Sequence, residues 1–192
     1  ESTPEALVSA GSGVGASTLE RLRRQAKMQR ATLDNPGSRP QWEVLSHSVL
    51  AQVPPPNPGD LFFDFEGDPT YQEWDEAGVP VTESGVGSPP RFGIEYLFGV
   101  WGNNINPGSD NPDFLGIWAE DFVEEGLALQ RFCELVEQRL VEYPDLRVFH
   151  YASYERTKLK HLVARHNTHH ATVTKLLDDL LCDLLPIVTK GL

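Results

Sequence analysis

Residues 61–68, Leu61-Phe62-Phe63-Asp64-Phe65-Glu66-Gly67-Asp68, constrain this chain more than any other stretch, and Pro69 ends the run. Apolar rings alternate or stack around acids, the pattern of a strand buried on both faces that still carries Asp64 and Glu66. Two residues apart on a strand, the two carboxylates project to one side. Like charges held that close need a partner, or one of them keeps its proton. A hard divalent cation, Mg²⁺ or Mn²⁺, is the usual partner, because it prefers carboxylate oxygen and binds through only one or two such groups plus substrate phosphates. The alternative is a strand end emerging into solvent with both acids simply hydrated.

A chain of 192 residues holds one medium α/β domain with an appendage, large enough to bury a core without staples. Its formal charge of −12 speaks against a broad nucleic-acid-coating surface, but not against a nuclease, whose metal site needs acids. Cys133 and Cys182 lack any zinc-type spacing, and Cys133 falls on the apolar face of a predicted helix, so a reduced, cytoplasmic protein is expected. No apolar run approaches the ~18 to 20 residues of a membrane span and no signal peptide is visible, so no membrane partner is expected. Glu1-Ser2-Thr3-Pro4 looks like a cut inside a longer protein, whose other domains would be partners.

Three segments are expected: a helical one at 1–33, a Pro-rich linker at 34–59 and a main domain at 60–192. Residues 1–31 carry five Lys or Arg against three Glu, a net of +2 that leaves −14 for the remainder. Ser17 and Glu20 have capping-box spacing ahead of a helix with Leu19, Leu22 and Ala26 on one side, ending near Ala31. Arg21, Arg23, Arg24, Lys27 and Arg30 spread over its outer side. In the linker, marked by Pro36, Pro40, Pro54, Pro55, Pro56 and Pro58, the apolar patch Trp42-Glu43-Val44-Leu45 is expected to pin the chain down. A Gly-, Pro- and acid-rich loop from 67 to about 92 leaves the acidic strand and is expected either to be poorly ordered or to flank the site.

Residues 93–101 and 114–118 read as second and third strands, forming an antiparallel meander with the first. From Asp121, a helix places Leu129, Phe132, Cys133, Val136 and Leu140 on one buried stripe and stops at Pro144. Residues 147–151 read as a fourth strand, parallel to its neighbour because a helical crossover precedes it. A further helix carries Leu159, Leu162 and Val163, and a last apolar segment runs from Val173 through Asp183 to Ile187-Val188. Meander, helix, strand, helix is the opening order of an RNase H-like fold: an α/β class with a mixed central sheet flanked by helices and, here, an N-terminal helical appendage.

Glu155 shares a phase with Leu159, Leu162 and Val163, so it sits on the helix face that packs on the sheet. With the fourth strand beside the first, Glu155 is expected within metal-sharing distance of Asp64 and Glu66; otherwise it is a first-turn Glu complementing the helix dipole. His169-His170 has no acid spaced for a zinc site and reads as a solvated helix cap.

Phe62-Phe63-Asp64-Phe65-Glu66 resembles the first motif of the DEDD 3′-5′ exonucleases, and Phe149-His150-Tyr151-Ala152-Ser153-Tyr154-Glu155 resembles their second, with Tyr151 for Asn and Glu155 for Asp. Together with Gly67-Asp68-Pro69 and Asp183-Leu184-Leu185-Pro186, these are more specifically similar to the RNase H-like domain of predicted RecB-family nucleases. In those proteins a helix-hairpin-helix-like segment precedes the domain, and Gly13-Val14-Gly15 resembles its hairpin, whose glycines let backbone N–H groups approach phosphate. The plainer alternative is a solvated helix with a Gly turn.

The resemblance implies a nuclease that hydrolyses phosphodiester bonds at a single-stranded DNA or RNA end, 3′-5′ exonuclease-like, in repair. Asp64, Glu66 and Glu155 would hold two Mg²⁺ or Mn²⁺ ions about 4 Å apart, with Asp183 as a supporting acid. His150 and Tyr151 stand at the strand end, where either positions water or the scissile phosphate, or His150 simply packs. Arg21, Arg24, Lys27, Gly13 and Gly15 would contact nucleic acid. The family's late acidic motif is absent, so this stretch is expected to be truncated, weak in metal binding and slow or inactive. The rival expectation is a non-catalytic nucleic-acid or protein docking module of a larger repair- or helicase-associated protein.

Overall fold

A computed structural model describes residues 13–37, 39–82 and 91–192, which form two compact units, Glu1–His47 with Leu192 and Ser48–Gly191. The expectations for residues 1–12, and for the part of the acid-rich loop at 83–90, lie outside the described residues.

The first unit is organised by α1 (Ala16–Leu33). Its N-cap is Gly15 and no side chain caps it, so the Ser17/Glu20 box does not form: the helix starts at Ala16 and takes Ser17 into its first turn. None of its residues is buried, and Leu22 is about half exposed. Beyond the helix the backbone N–H of Gln41 donates to Thr32 Oγ1 at 3.0 Å, which brings the chain back alongside the last turns. Trp42 is 71% exposed and Leu45 is exposed as well, so residues 42–45 do not pin this segment down as expected. A single turn, α2 (His47–Leu50), falls at the sequence boundary between the units.

The second unit is an α/β layer structure built on a mixed five-stranded sheet flanked by helices, in the order β3-β2-β1-β4-β5. Strands β1 (Leu61–Asp68), β2 (Ile94–Gly102) and β3 (Phe114–Trp118) pair antiparallel. Helix α3 (Phe122–Glu142) then crosses to β4 (Val148–His150), which lies parallel to β1 with Leu61 opposite Val148 and Phe62 opposite Phe149. Helices α4 (Tyr154–His166) and α5 (His170–Lys175) follow, and a π turn (Leu176–Leu180) leads into β5 (Leu181–Asp183) and α6 (Leu185–Gly191). The π turn and β5 resolve what the sequence left as one apolar segment.

Local chemistry explains these elements. Asp121 caps α3 by accepting from Glu124 N at 2.7 Å, and the stripe Leu129, Phe132, Cys133 and Val136 is fully buried against β1 to β3. The Phe132 ring stacks on Phe63 at 4.1 Å between centroids. Burying such rings contributes roughly 2 to 3 kcal/mol each. At the start of β1, Asp60 Oδ1 accepts from Arg147 N at 2.8 Å and Arg139 Nε donates to Gly59 O at 2.7 Å, which ties β1, β4 and α3 together. Gly59 is required there, since a Cβ would lie 2.2 Å from Tyr143 Cβ.

A third expectation is corrected. β1 is not buried on both faces: Leu61, Phe63 and Phe65 point into the core, whereas Phe62, Asp64 and Glu66 are exposed on the other side. The core cluster joins the sheet to α3, α4 and α5 on one face alone, and a strand covered on one face alternates with period 2. The rings on the open side cover one another instead, Phe62 lying 5.6 Å from Trp101 and 5.2 Å from Phe149.

Candidate functional site

The acids of β1 meet the end of β4. Beyond Phe149, the last residue it pairs with β1, β4 ends at His150 and the chain turns through Tyr151, Ala152 and Ser153 into α4. The backbone of Ala152 has φ of 74°, a left-handed conformation that costs a non-glycine residue on the order of 1 kcal/mol. Asp183 holds it there: its Oδ1 accepts from Ala152 N at 2.9 Å and from Leu185 N at 2.9 Å, while Leu184 N donates to His150 O at 2.9 Å. The chain between β4 and α4 is thus fixed by the end of β5, where Asp183 stands opposite His150 in register.

This turn delivers Glu155 to the sheet. Its side chain is buried, as the phase with the equally buried Leu159 and Leu162 requires. Glu155 Oε2 lies 3.3 Å from His150 Nδ1. Burial first, then a hydrogen bond with the Asp64 carboxyl and the charges of Asp64 and Asp183, push the Glu155 carboxyl up to about 7. A hydrogen bond between two carboxyls needs a proton on one of them. Burial pushes His150 below its ordinary value, partly offset by Asp183, so its imidazole is neutral.

The sequence-predicted residues therefore fall into three sets. Asp64, Glu155 and His150 are in contact, and Asp183 acts on two of them through its charge. Glu66 and Tyr151 line the same open depression of about 430 Å³, whose walls are Phe62, Leu97, Trp101, Phe114 and Phe149 and whose floor includes Gly99, the partner of Asp64 across the ladder. Gly13, Gly15, Arg21, Arg24 and Lys27 belong to the other unit. His169 caps α5 in a left-handed conformation, and His170 is exposed.

The donors at this place are carboxylate oxygens, the chemistry suited to a hard cation. Among the described residues no group of three or more His, Cys, Asp or Glu is arranged to hold a metal ion. The fit is that of two carboxylates, Asp64 and Glu155, while Asp183 Oδ1 is engaged with backbone N–H groups.

A second acidic cluster was not foreseen from the sequence. Glu95 is buried, and there it accepts from Tyr154 Oη at 3.0 Å and pairs with Lys158 Nζ at 2.5 Å. Glu125, fully buried, accepts from Glu95 N at 2.7 Å, from Arg165 Nη1 at 3.0 Å, and lies 2.6 Å from His166 Nε2. Burial pushes the Glu125 carboxyl up, but His166, the Glu95 N–H and Arg165 outweigh it and hold the group below its ordinary value. Lys158 and Tyr154 belong to the helix turns around Glu155, so this clamp fixes the start of α4. Gly67 makes room for it: a Cβ there would lie 2.6 Å from Glu95 Oε2 and 2.8 Å from Tyr154 Oη, at the point where the β1 register shifts. One signal was available, since Glu125 stands in phase with Leu129, Phe132 and Val136.

Among the described residues no helix is long and apolar enough to cross a membrane. Burial pushes the Cys133 thiol up to about 12 and that of Cys182 up as well, so neither is a ready nucleophile. No family model matches the chain, and no curated protein or solved structure matches it either.

Proposed function

We propose that the second unit is an RNase H-like, DEDD-type nuclease domain that hydrolyses phosphodiester bonds at a single-stranded DNA or RNA end with Mg²⁺ or Mn²⁺. One observation carries the reading: acids from β1, the start of α4 and the end of β5 converge, the buried Glu155 hydrogen-bonding with Asp64 and feeling the charge of Asp183. Two carboxylates are sufficient protein ligands for a magnesium-type ion that is completed by waters and substrate phosphate. Such an ion, when bound, polarises the phosphoryl oxygen and lowers the pKa of its water.

The residues of the chain supply the rest. Asp64 and Glu155 would hold the ion once Glu155 gives up its proton, and Glu66 extends the acidic edge along the same face. The neutral His150 imidazole touches Glu155 and is able to take or return a proton there. The open aromatic depression beside Asp64 suits an unstacked base, because every base offers a π face to Phe62, Trp101 or Phe149. A second reading, a non-catalytic docking module, draws on the absence of a three-residue metal group among the described residues.

The test is a 3′-labelled single-stranded oligonucleotide, DNA and RNA in parallel, incubated with Mn²⁺. Wild type should release labelled mononucleotide, and Asp64→Asn and Glu155→Gln should each lose at least about 100-fold in rate, the scale of losing one electrostatic contact to the reacting group. Equal product from all three proteins would dismiss the nuclease reading, and no product from a folded wild type would favour the docking module.

A further inference from the structure

The first unit carries a charge pattern unlike the rest of the chain. Between Ala16 and Leu33 there are five Lys or Arg and one acid, Glu20, in a chain whose total is −12. Arg24 reaches back to Glu20 at 3.4 Å and Arg30 forward to Asp34 at 3.0 Å. Arg23, Lys27 and Arg30 recur at i, i+4 and i+7, one cation per turn along a single stripe. The helix buries nothing, so that stripe is not the outer side of a packed element.

Beside the stripe runs a groove of about 520 Å³, walled by Glu20, Arg23, Arg24 and Lys27 on one side and by Gln41, Trp42 and Glu43 on the other. The Thr32–Gln41 hydrogen bond sets the second wall in place. The 71% exposed indole beside these cations combines the two contacts a flexible polyanion with aromatic rings makes. An acidic protein segment would use the cations and leave the indole without a ring to stack on.

We propose that the groove between α1 and Gln41–Glu43 binds single-stranded nucleic acid, with Arg23, Arg24 and Lys27 on the phosphates and the Trp42 indole stacked on a base. An 18-residue helix is about 27 Å long, enough to follow several nucleotides. Such a surface deepens the nuclease reading, on which its role as a substrate tether rests, while the binding itself is measured apart from cleavage. The remaining charge of the chain repels a polyanion, so affinity must come from these few cations and fall steeply with salt.

The experiment titrates the full chain into a fluorescein-labelled oligothymidine of about 20 nucleotides in EDTA, following anisotropy across a salt series. Three phosphate contacts give a slope of about −2 in log K against log salt. Arg23→Glu with Lys27→Glu should weaken binding at least 10-fold and flatten that slope by about 1.4, and Trp42→Ala should weaken it at least 5-fold with the slope kept. Because α1 buries no side chain, unchanged helical circular dichroism verifies that each variant is folded. Wild-type affinity in both variants would overturn the proposal, as would polyglutamate competing as well as unlabelled oligothymidine. EDTA removes cleavage from the readout, so failure of the nuclease reading leaves this result standing, and the reverse holds too.

Discussion

Two acid clusters meet α4, Glu95 and Glu125 through Lys158, Arg165 and His166 and Asp64 through Glu155, and they neutralise their charge in opposite ways. Glu95 and Glu125 are matched by Lys158, Arg165 and His166, and each oxygen pair is tied to a donor. Glu155 is matched by another carboxyl, Asp64, and the basic side chain within ion-pair distance of it is His150, whose ring is neutral. The first arrangement is what a fold does with a buried charge it must keep. The second leaves a carboxyl pair that only a proton or a cation satisfies, the kind of perturbed group that gathers at functional sites.

Removing an acid should therefore have opposite consequences in the two places. Glu125→Ala strands Arg165 and His166 and should cost about 3 to 5 kcal/mol of stability by urea unfolding. A loss below about 1 kcal/mol would mean that the clamp is ornamental. Metal sharpens the contrast: Mn²⁺ at about 100 times its dissociation constant should add about 2.7 kcal/mol to wild type. Asp64→Asn should lose that gain, whereas Lys158→Met should keep it.

Next in size is the pH response. The Glu155 carboxyl is pushed up to about 7 in the folded chain, against an ordinary value of 4.5, so between those values the folded chain holds more protons and each rise in pH lowers stability. Glu155→Gln should remove that decline and gain on the order of 2 kcal/mol at pH 8 relative to wild type. The Glu125 contribution has the other sign: it is present above the ordinary carboxylate range and is lost as the pH falls through the lowered value. Thermal melts of wild type without metal should thus weaken toward both ends, and a flat profile from pH 4.5 to 7 would refute the shared proton. Smallest is Ala152→Gly, which should stabilise by up to about 1 kcal/mol by relieving the positive φ, read as a rise in melting temperature.

The sequence made the sheet order and the meeting of Asp64 with Glu155 legible for a plain reason. Strand and helix periods are strong in Leu61–Glu66 and in Glu155–Leu162, and a parallel crossover leaves few places for β4. It misjudged the burial of β1 because Phe62 packs against Trp101 and Phe149, so an open face is as rich in rings as a closed one. β5 was not separable, since three residues inside a Leu-rich run satisfy a helical period equally well. The Ser17 cap failed because Gly15 leaves the backbone free to begin the helix earlier. Of the Glu95 clamp only the phase of Glu125 was legible, because the remaining partners come from α4, a distance along the chain that no local pattern records.

The pairing of β1 with β4 is only two residues long, Leu61 with Val148 and Phe62 with Phe149. Past that point the two neighbours part company, and Asp64 and Glu66 keep their ladder partners on β2 alone, Gly99 and Leu97. Any group lodged between β1 and β4 beyond Phe62 and Phe149 therefore displaces no bond of that pair, while the β1–β2 ladder beneath stays stitched.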